Sequence, residues 1–386
     1  MKIVLVSPYD WGVSSGVNNH IHHLAEQFVL LGHQPYIVAP GSRPATGGVC
    51  PITIIGRPIP LRVSGSVARI TLSLRTAGRI RRLLEENEFD IVHVHEPFMP
   101  QLPINFLRYS TTVNVGTWHA ARDSNFIYVY GRRLIKRWVS KLDGKIAVSP
   151  AAVKHIEQYF PGYYNIIPNG VDVEHFSRDV EPLPEFCDGK LNVLFVGRPE
   201  ARKGLKYLLR AFIGVQRAIP ESRLIVVGAG KFDRYERAVR SAHLRDVVFR
   251  SYVPFAELPR YHKSAHVFCA PNTGFESQGL VLLEAMAAGR AIVASNIEGF
   301  AGVLTHGVEG LLVRPEDPLA LAAALIELLR DPARREAMVA HGRERVQHFR
   351  WDRVSQRVLS YYERLIYERR LVEHGEPSEE RRPLGV

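Results

Sequence analysis

"HVFCAPNTGFESQGLVLLEAMAAGRAIVAS", residues 266–295, runs from one apolar strand through a small-residue loop and a helix into a second apolar strand. Both strand stretches, HVFCAP and AIVAS, are continuous apolar runs without alternation. That pattern belongs to strands covered on both faces, as in parallel sheets built from strand–helix–strand units. Gly289 follows the helix as a C-terminal cap. Two carboxylates interrupt this otherwise nearly uncharged stretch: Glu276 in the loop and Glu284 inside the helix, seven residues between them.

The same rhythm fills the chain. KIVLVSP, QPYIVAP, DIVHVHEP, TVNVGTWH, KIAVSP and YNIIPNG read as strands in the first half, and NVLFVG, RLIVVGAG, VVFRSYV, HVFCAP, AIVAS and GLLV in the second. Two such series predict an α/β protein with two Rossmann-like, doubly wound parallel-sheet domains facing a cleft. The break falls in VEPLPEFCDGK, where prolines and acids interrupt both periodicities. The expected domains are therefore residues 1–180 and 190–345, with a helix over 346–375 packing back on the first domain. The final GEPSEERRPLGV is polar and expected to fray.

The 386 residues are 46% apolar and 23% charged, ordinary for a soluble globular protein. The N-terminus enters a strand directly, so no secretory signal is expected, and no run of about 18 apolar residues suggests a membrane span. Cys50, Cys187 and Cys269 lie far apart and read as reduced packing residues in a cytosolic protein. A net charge of +11 points to nucleic acid, anionic lipid or phosphate-bearing ligands, or to a merely solubilising surface. Interleaved aromatics and reader motifs for nucleic acid are missing, which leaves the other partners.

Ligands of doubly wound sheets bind at the carboxyl ends of the strands. In the loop after HVFCAP, the helix start near Gly279 and Leu280 offers free N–H groups and a positive dipole end. A diphosphate fits there, with sugar hydroxyls bonded by Glu276 and Glu284, whose oxygens accept hydrogen bonds. The plain alternative is one capping and one surface glutamate. Arg198 and Lys203 stand in the loop after NVLFVG, between Gly197 and Gly204, where a fork and a point charge suit a diphosphate. In the first half, Gly16 opens a helix and lets backbone approach a phosphate or sugar, although GxGxxG is absent. His119 ends a strand at the same level. His93 and His95, two apart on one strand face, read as packing residues or as supports behind the site, with no third metal ligand evident. Asp172 and Glu174 in NGVDVEHF could mimic a metal clamp, but suit a structural turn better.

Together these pieces resemble the retaining glycosyltransferases of family four, with the GT-B fold. The resemblance rests on GFESQGLVLLEAMAAG, GRPEARKG, IPNGVDVEHF and the loop ending SSGV. Within that family the chain is similar to the phosphatidyl-myo-inositol mannosyltransferases, through SPYDWGVSSGVNNHIHHLAE, GSVARI, VHVHEP, TWHA and FVGR. The resemblance implies that Glu284 accepts from the ribose hydroxyls and Glu276 from the transferred sugar. The latter is aided by backbone N–H groups of the following turn, Ser277, Gln278, Gly279 and Leu280. Arg198 and Lys203 would neutralise the diphosphate and Gly16 would close on it, while His119 would orient the sugar. Asn18, Ser66 and Arg69 would seat the head of an inositol phosphate acceptor. Gln278 stands where these mannosyltransferases have an aromatic residue, and Ser15 replaces the first of two glycines, so the exact donor sugar stays open.

The expected reaction moves a hexose, mannose from GDP-mannose, to a phosphatidylinositol-like lipid, giving an alpha linkage with retention. No cofactor or essential divalent metal is expected, because Arg198 and Lys203 take the metal's charge role. The basic helical segment carrying Arg75, Arg79, Arg81 and Arg82 would dock on an anionic phospholipid surface, placing the enzyme peripherally at the inner face of the cell membrane. The alternatives are a crossover helix with a solvated Arg face, a soluble acceptor with a UDP- or ADP-sugar, and a nucleotide-sugar epimerase.

Overall fold

The computed structural model describes residues 1–374 except 14, 45–47, 64–65, 74 and 121–125. The strands are β1 (Lys2–Val6), β2 (Gln34–Ala39), β3 (Ile52–Ile54), β4 (Ile59–Val63), β5 (Ser66–Ile70), β6 (Ile91–His95), β7 (Val113–Trp118), β8 (Gly144–Ala147) and β9 (Asn165–Ile166). The second half adds β10 (Leu191–Val196), β11 (Ser222–Val227), β12 (Val247–Arg250), β13 (Val267–Ala270), β14 (Ala291–Ser295) and β15 (Gly310–Val313). They form two wholly parallel sheets, ordered β3-β2-β1-β6-β7-β8-β9 and β12-β11-β10-β13-β14-β15. Each order reverses beside its first strand, so each lobe has a switch point, between β1 and β6 and between β10 and β13.

The continuous apolar strands are buried as their composition demands: β6, β7, β11, β13 and β14 have no exposed residue. All the expected strands are present. The expectation missed β3, too short to show a period, and the antiparallel hairpin β4–β5. That hairpin includes GSVARI, read for Ser66, Arg69 and its family likeness rather than as strands. It joins the loop after β1 through a hydrogen bond from Asp10 N–H to Arg69 O at 2.9 Å.

The lobes exchange chain earlier than expected from the break at 180–190. Ile167 packs in the core of the first lobe, whereas Val171, Val173 and Phe176 already lie in that of the second. Helix Val173–Ser177 rests on the second lobe because Phe176 is buried there. The crossover is thus at 167–171, a shift set by packing rather than by composition. The chain returns between Phe349, in the second core, and Trp351, in the first. Outgoing and returning segments run side by side, with Val171 N–H donating to Phe349 O at 2.8 Å. Gly170 permits this contact, since a Cβ there would sit 2.4 Å from the Trp351 ring. Helix Trp351–His374 then buries Val354, Val358, Tyr362 and Leu365 against the core residues of β1, β7 and helix Gly16–Leu30.

Helix Thr76–Asn87 carries Arg79, Arg81 and Arg82 outward, with Arg75 exposed at its N-cap. Its apolar side is already used: Ile80 is fully buried, and Leu83 and Leu84 pack on the same core. The helix therefore has no apolar stripe to insert into lipid, and only its cationic face is offered. On that face Arg81 pairs with Glu85 at 2.8 Å and Arg79 donates to Ile54 O at 3.1 Å. No helix among the described residues is long and apolar enough to cross a membrane.

Candidate active site

Both switch points open on the cleft, and the charged side chains gather at that of the second lobe. The loop after β10 carries Arg198, Glu200, Arg202 and Lys203; the loop after β13 carries Asn272 and Glu276. Gly204 brings them together. It adopts φ +72°, and a Cβ on it would stand 1.7 Å from Pro271 O, so any side chain would drive the loops apart. With the loops in contact, Glu276 Oε2 accepts from Lys203 Nζ at 2.6 Å, Asn272 Nδ2 at 2.9 Å and Arg202 at 3.3 Å.

This cluster is sheltered at its centre and open at its edge. Lys203 and Glu276 side chains are 13% and 18% exposed, whereas Arg198 is 56% exposed and pairs with Glu200 at 3.0 Å. Glu200 also takes Arg202 Nε at 2.9 Å. Burial alone would push the Glu276 carboxyl up, but Lys203 and then Arg202 hold it below the usual carboxylate range. Arg202 and Asn272 were absent from the sequence expectation. The signal for Arg202 was its place beside Lys203 in RPEARKG; nothing in the spacing marked Asn272.

Helix Leu280–Ala287 begins at Gly279, which has φ +71° and supplies no side-chain cap. Helices Gly16–Leu30, Pro150–Glu157 and Pro318–Arg330 are by contrast capped by Ser15, Ser149 and Asp317. A helix start without its own acceptor, beside three cations, suits an anionic group. Ser277 and Leu280 are half-buried in this turn. Glu284, one turn on and half-buried, is pushed up to about 7 by burial, only partly opposed by Lys203.

Gln278 is expected to serve through its backbone N–H; its side chain, 3% exposed, crosses to the first lobe. Its Oε1 accepts from Asn169 N–H at 2.6 Å and Asn169 Nδ2 at 2.8 Å, while its Nε2 donates to Asn169 O at 3.0 Å. An amide so occupied leaves only main-chain groups of Gln278 for a ligand.

In the first lobe, Gly16 opens its helix with nothing within 4 Å of where a Cβ would be, so the backbone there is accessible. Asn18 requires a correction. It is buried, donates to Asp10 O at 2.9 Å and Val13 O at 3.2 Å, and accepts from Ser7 Oγ at 2.7 Å. Its side chain staples the loop after β1, with both amide hydrogens committed there. Arg69 is exposed on β5, and the Ser66 side chain lies outside the described residues. Asp172 caps a helix, accepting from His175 N–H at 2.8 Å, as the structural reading requires.

His119 follows β7 and is joined by His20, which spacing did not reveal. The His119 main-chain N–H donates to Glu96 Oε1 at 2.9 Å, its Nε2 lies 2.9 Å from His95 Nδ1, and its Nδ1 lies 3.2 Å from Asn169 Oδ1. His20 stands edge-on to His119 with ring centroids 4.7 Å apart. Burial lowers all these rings: His119 to about 4, His93 to about 3, and His20 and His95 well below the ordinary value. Nitrogens of His20, His95 and His119 lie within 4.8 Å of one another, close enough to suggest a metal. The His119 nitrogens are, however, taken up by His95 and Asn169, which makes a neutral hydrogen-bonded ladder the better reading. His93, bonded to Tyr362 Oη and Thr117 Oγ1 at 2.5 and 2.6 Å, is a packing residue as expected.

Twin doubly wound lobes, with an anion-suited cluster and paired glutamates on one and a histidine on the other, define a glycosyltransferase. Residues 14–175 match the family described as Glycosyltransferase Family 4, and residues 190–331 match Glycosyl transferases group 1. The chain is 36% identical to the phosphatidyl-myo-inositol mannosyltransferase of Mycobacterium leprae over 94% of its length and 96% of that protein's. It is 35% identical to that of Mycolicibacterium smegmatis, covering 94% of each chain. Among solved structures, sucrose-phosphate synthase from Thermosynechococcus elongatus superposes with a TM-score of 0.76 at 21% identity, covering 95% of this chain and 99% of that one. Anabaena HepE in complex with UDP gives 0.75 at 16% identity, covering 94% and 99%. The chain belongs to glycosyltransferase family four, in the branch of the phosphatidyl-myo-inositol mannosyltransferases.

Proposed function

We propose that this enzyme moves mannose from GDP-mannose to the inositol ring of a phosphatidylinositol-type lipid, with retention at the anomeric carbon. The observation that carries the reading is the Lys203–Glu276–Arg202 cluster beside the uncapped start of helix Leu280–Ala287. The diphosphate would lie across Arg198, Arg202 and Lys203 and the first-turn amides, which stabilise negative charge as the leaving group departs. These cations replace the charge a divalent metal would bring, so no cofactor is required. Glu276, released from Lys203 by the incoming phosphate, would accept from hydroxyls of the sugar, and Glu284 from those of the ribose. No carboxylate is placed as a covalent nucleophile in this scheme. The departing phosphate takes the acceptor proton on the face it leaves, and catalysis rests on positioning and electrostatics.

The test is incubation with GDP-mannose and phosphatidylinositol vesicles in the presence of a chelator. A mannolipid with an alpha linkage is the expected product, and among GDP, UDP and ADP only GDP should raise the melting temperature. Turnover with UDP-glucose and a soluble sugar, but none with the lipid, would overturn the reading.

Docking on the membrane would rest on charge alone, at the inner face of the cell membrane, because the apolar side of helix Thr76–Asn87 is built into the core. Replacing Arg75, Arg79 and Arg82 by Ser is therefore expected to reduce binding to anionic vesicles while leaving nucleotide binding intact. In the wild type that binding should weaken steeply with salt. Vesicle binding unchanged by the three substitutions would remove this face from the membrane contact.

A further inference from the structure

We propose that Gln278, in the second lobe, fixes which nitrogen of His119 carries the proton in the first, acting through Asn169 as a positioning residue. The inference deepens the reading of His119 as the contact of the transferred sugar and rests on it.

The geometry admits one assignment. The Asn169 main-chain N–H can only donate, and it meets one end of the Gln278 amide at 2.6 Å, so that end is Oε1. The Asn169 carbonyl can only accept, and it meets the other end at 3.0 Å, so that end is Nε2. Gln278 is thus oriented by main-chain atoms whose roles never change. Its Oε1 also faces the Asn169 side chain at 2.8 Å, and an acceptor there demands Nδ2. The Asn169 Oδ1 therefore points the other way, at His119 Nδ1, 3.2 Å off. A carbonyl oxygen only accepts, so His119 holds its proton on Nδ1 and presents a lone pair at Nε2.

The next ring agrees. His95 Nδ1, 2.9 Å from His119 Nε2, must be the donor, which leaves His95 Nε2 unprotonated. That nitrogen is buried without a hydrogen-bond partner, a condition less costly for a lone pair than for an N–H. Burial keeps both rings neutral, so tautomer choice is the remaining freedom. A sugar hydroxyl that displaces the His95 N–H from His119 Nε2 would meet an acceptor there, at the cost of releasing that N–H. The opposite tautomer would present an N–H to the sugar and set two lone pairs against each other at Asn169. Gln278 thus governs the direction in which a hydroxyl of the sugar donor points.

The experiment is nitrogen NMR of the imidazoles in isotopically labelled protein without substrate, paired with steady-state kinetics. Wild type is expected to show His119 protonated at Nδ1. Gln278→Met, which keeps length but has no amide, should mix the tautomers. It should also lower kcat about tenfold or more with little change in KM for the sugar donor, as misorientation rather than lost binding predicts. Gln278→Glu retains an acceptor for both Asn169 donors, so it should keep the Nδ1–H form and recover part of kcat. An unchanged tautomer in Gln278→Met, or a changed one with wild-type kcat, would overturn the proposal. Should Gln278→Met not fold, the opposite tautomer in Gln278→Glu does the same. A wild-type protein that shows the Nδ1–H form but transfers no mannose would overturn the proposed function and leave the tautomer lock standing.

Discussion

Glu276→Ala is expected to lower kcat about 10²–10³-fold, the scale on which a single preorganised polar contact to a reacting group acts. The carboxylate is held by Lys203, Asn272 and Arg202, so its position is set before substrate arrives. Removing it leaves Lys203 and Arg202 without their counter-charge. Affinity for the free nucleoside diphosphate should consequently hold steady or rise, even as transfer collapses. This split separates a residue that handles the sugar from one that merely binds nucleotide. Glu276→Gln should fall between, since its amide retains an acceptor oxygen but loses the charge that engages Lys203. Wild-type turnover in Glu276→Ala would show that the cluster serves the loops and not the reaction.

Glu284→Gln is expected to make the free protein more stable and a poorer binder. Burial raises the folded-state value of Glu284 from 4.5 to about 7. The folded state therefore holds this proton more tightly than the unfolded chain does. The associated stability is fully present below about pH 4.5 and is lost as pH rises through 7. Above that, the ionised group costs about 3 kcal/mol of folding free energy, which the Gln variant escapes. Its advantage in thermal unfolding should thus grow between pH 5 and pH 8 and then level. Binding moves oppositely. Losing a charged acceptor for ribose hydroxyls should weaken sugar-nucleotide affinity by about 1.5–3 kcal/mol. The wild type should gain affinity as pH rises towards 7, because only the ionised carboxylate accepts from both hydroxyls. The phosphates of a sugar nucleotide do not titrate in that window, and His119, at about 4, lies outside it. A variant no more stable than wild type at pH 8 would mean that Glu284 is solvated in the free protein.

The fold was legible because burial on both faces writes itself into composition: IVLV, LIVV and FCAP run apolar without alternation. Hairpin β4–β5 was hidden by a different emphasis, its alternating residues sitting in a segment conspicuous for arginine. Half of the candidate site was legible for a related reason. Arg198, Lys203, Glu276 and Glu284 lie on loops and a helix that follow strand ends, where sequence order determines position. The His20 ring and the side-chain pairing of Gln278 were missed because they depend on residues distant in the chain, whereas Asn18 was misread although its partners Ser7, Asp10 and Val13 are close in sequence. Gln278 meets Asn169 across 109 positions, and local spacing carries no trace of such a pairing. The domain boundary failed similarly. Prolines and acids at 180–190 mark where regular structure pauses, whereas Phe176 decides by packing where the second core begins.

The paired strands of chain at Val171 and Phe349 restrict how the enzyme can move. Two adjacent tethers act like a door with both hinges on one edge: they define a pivot and suppress sliding or tumbling of one half against the other. Asn169 sits two residues from that pivot, where swinging displaces atoms least. Any opening about this pivot would move the far rim of the cleft most and the imidazole alignment close to the pivot least.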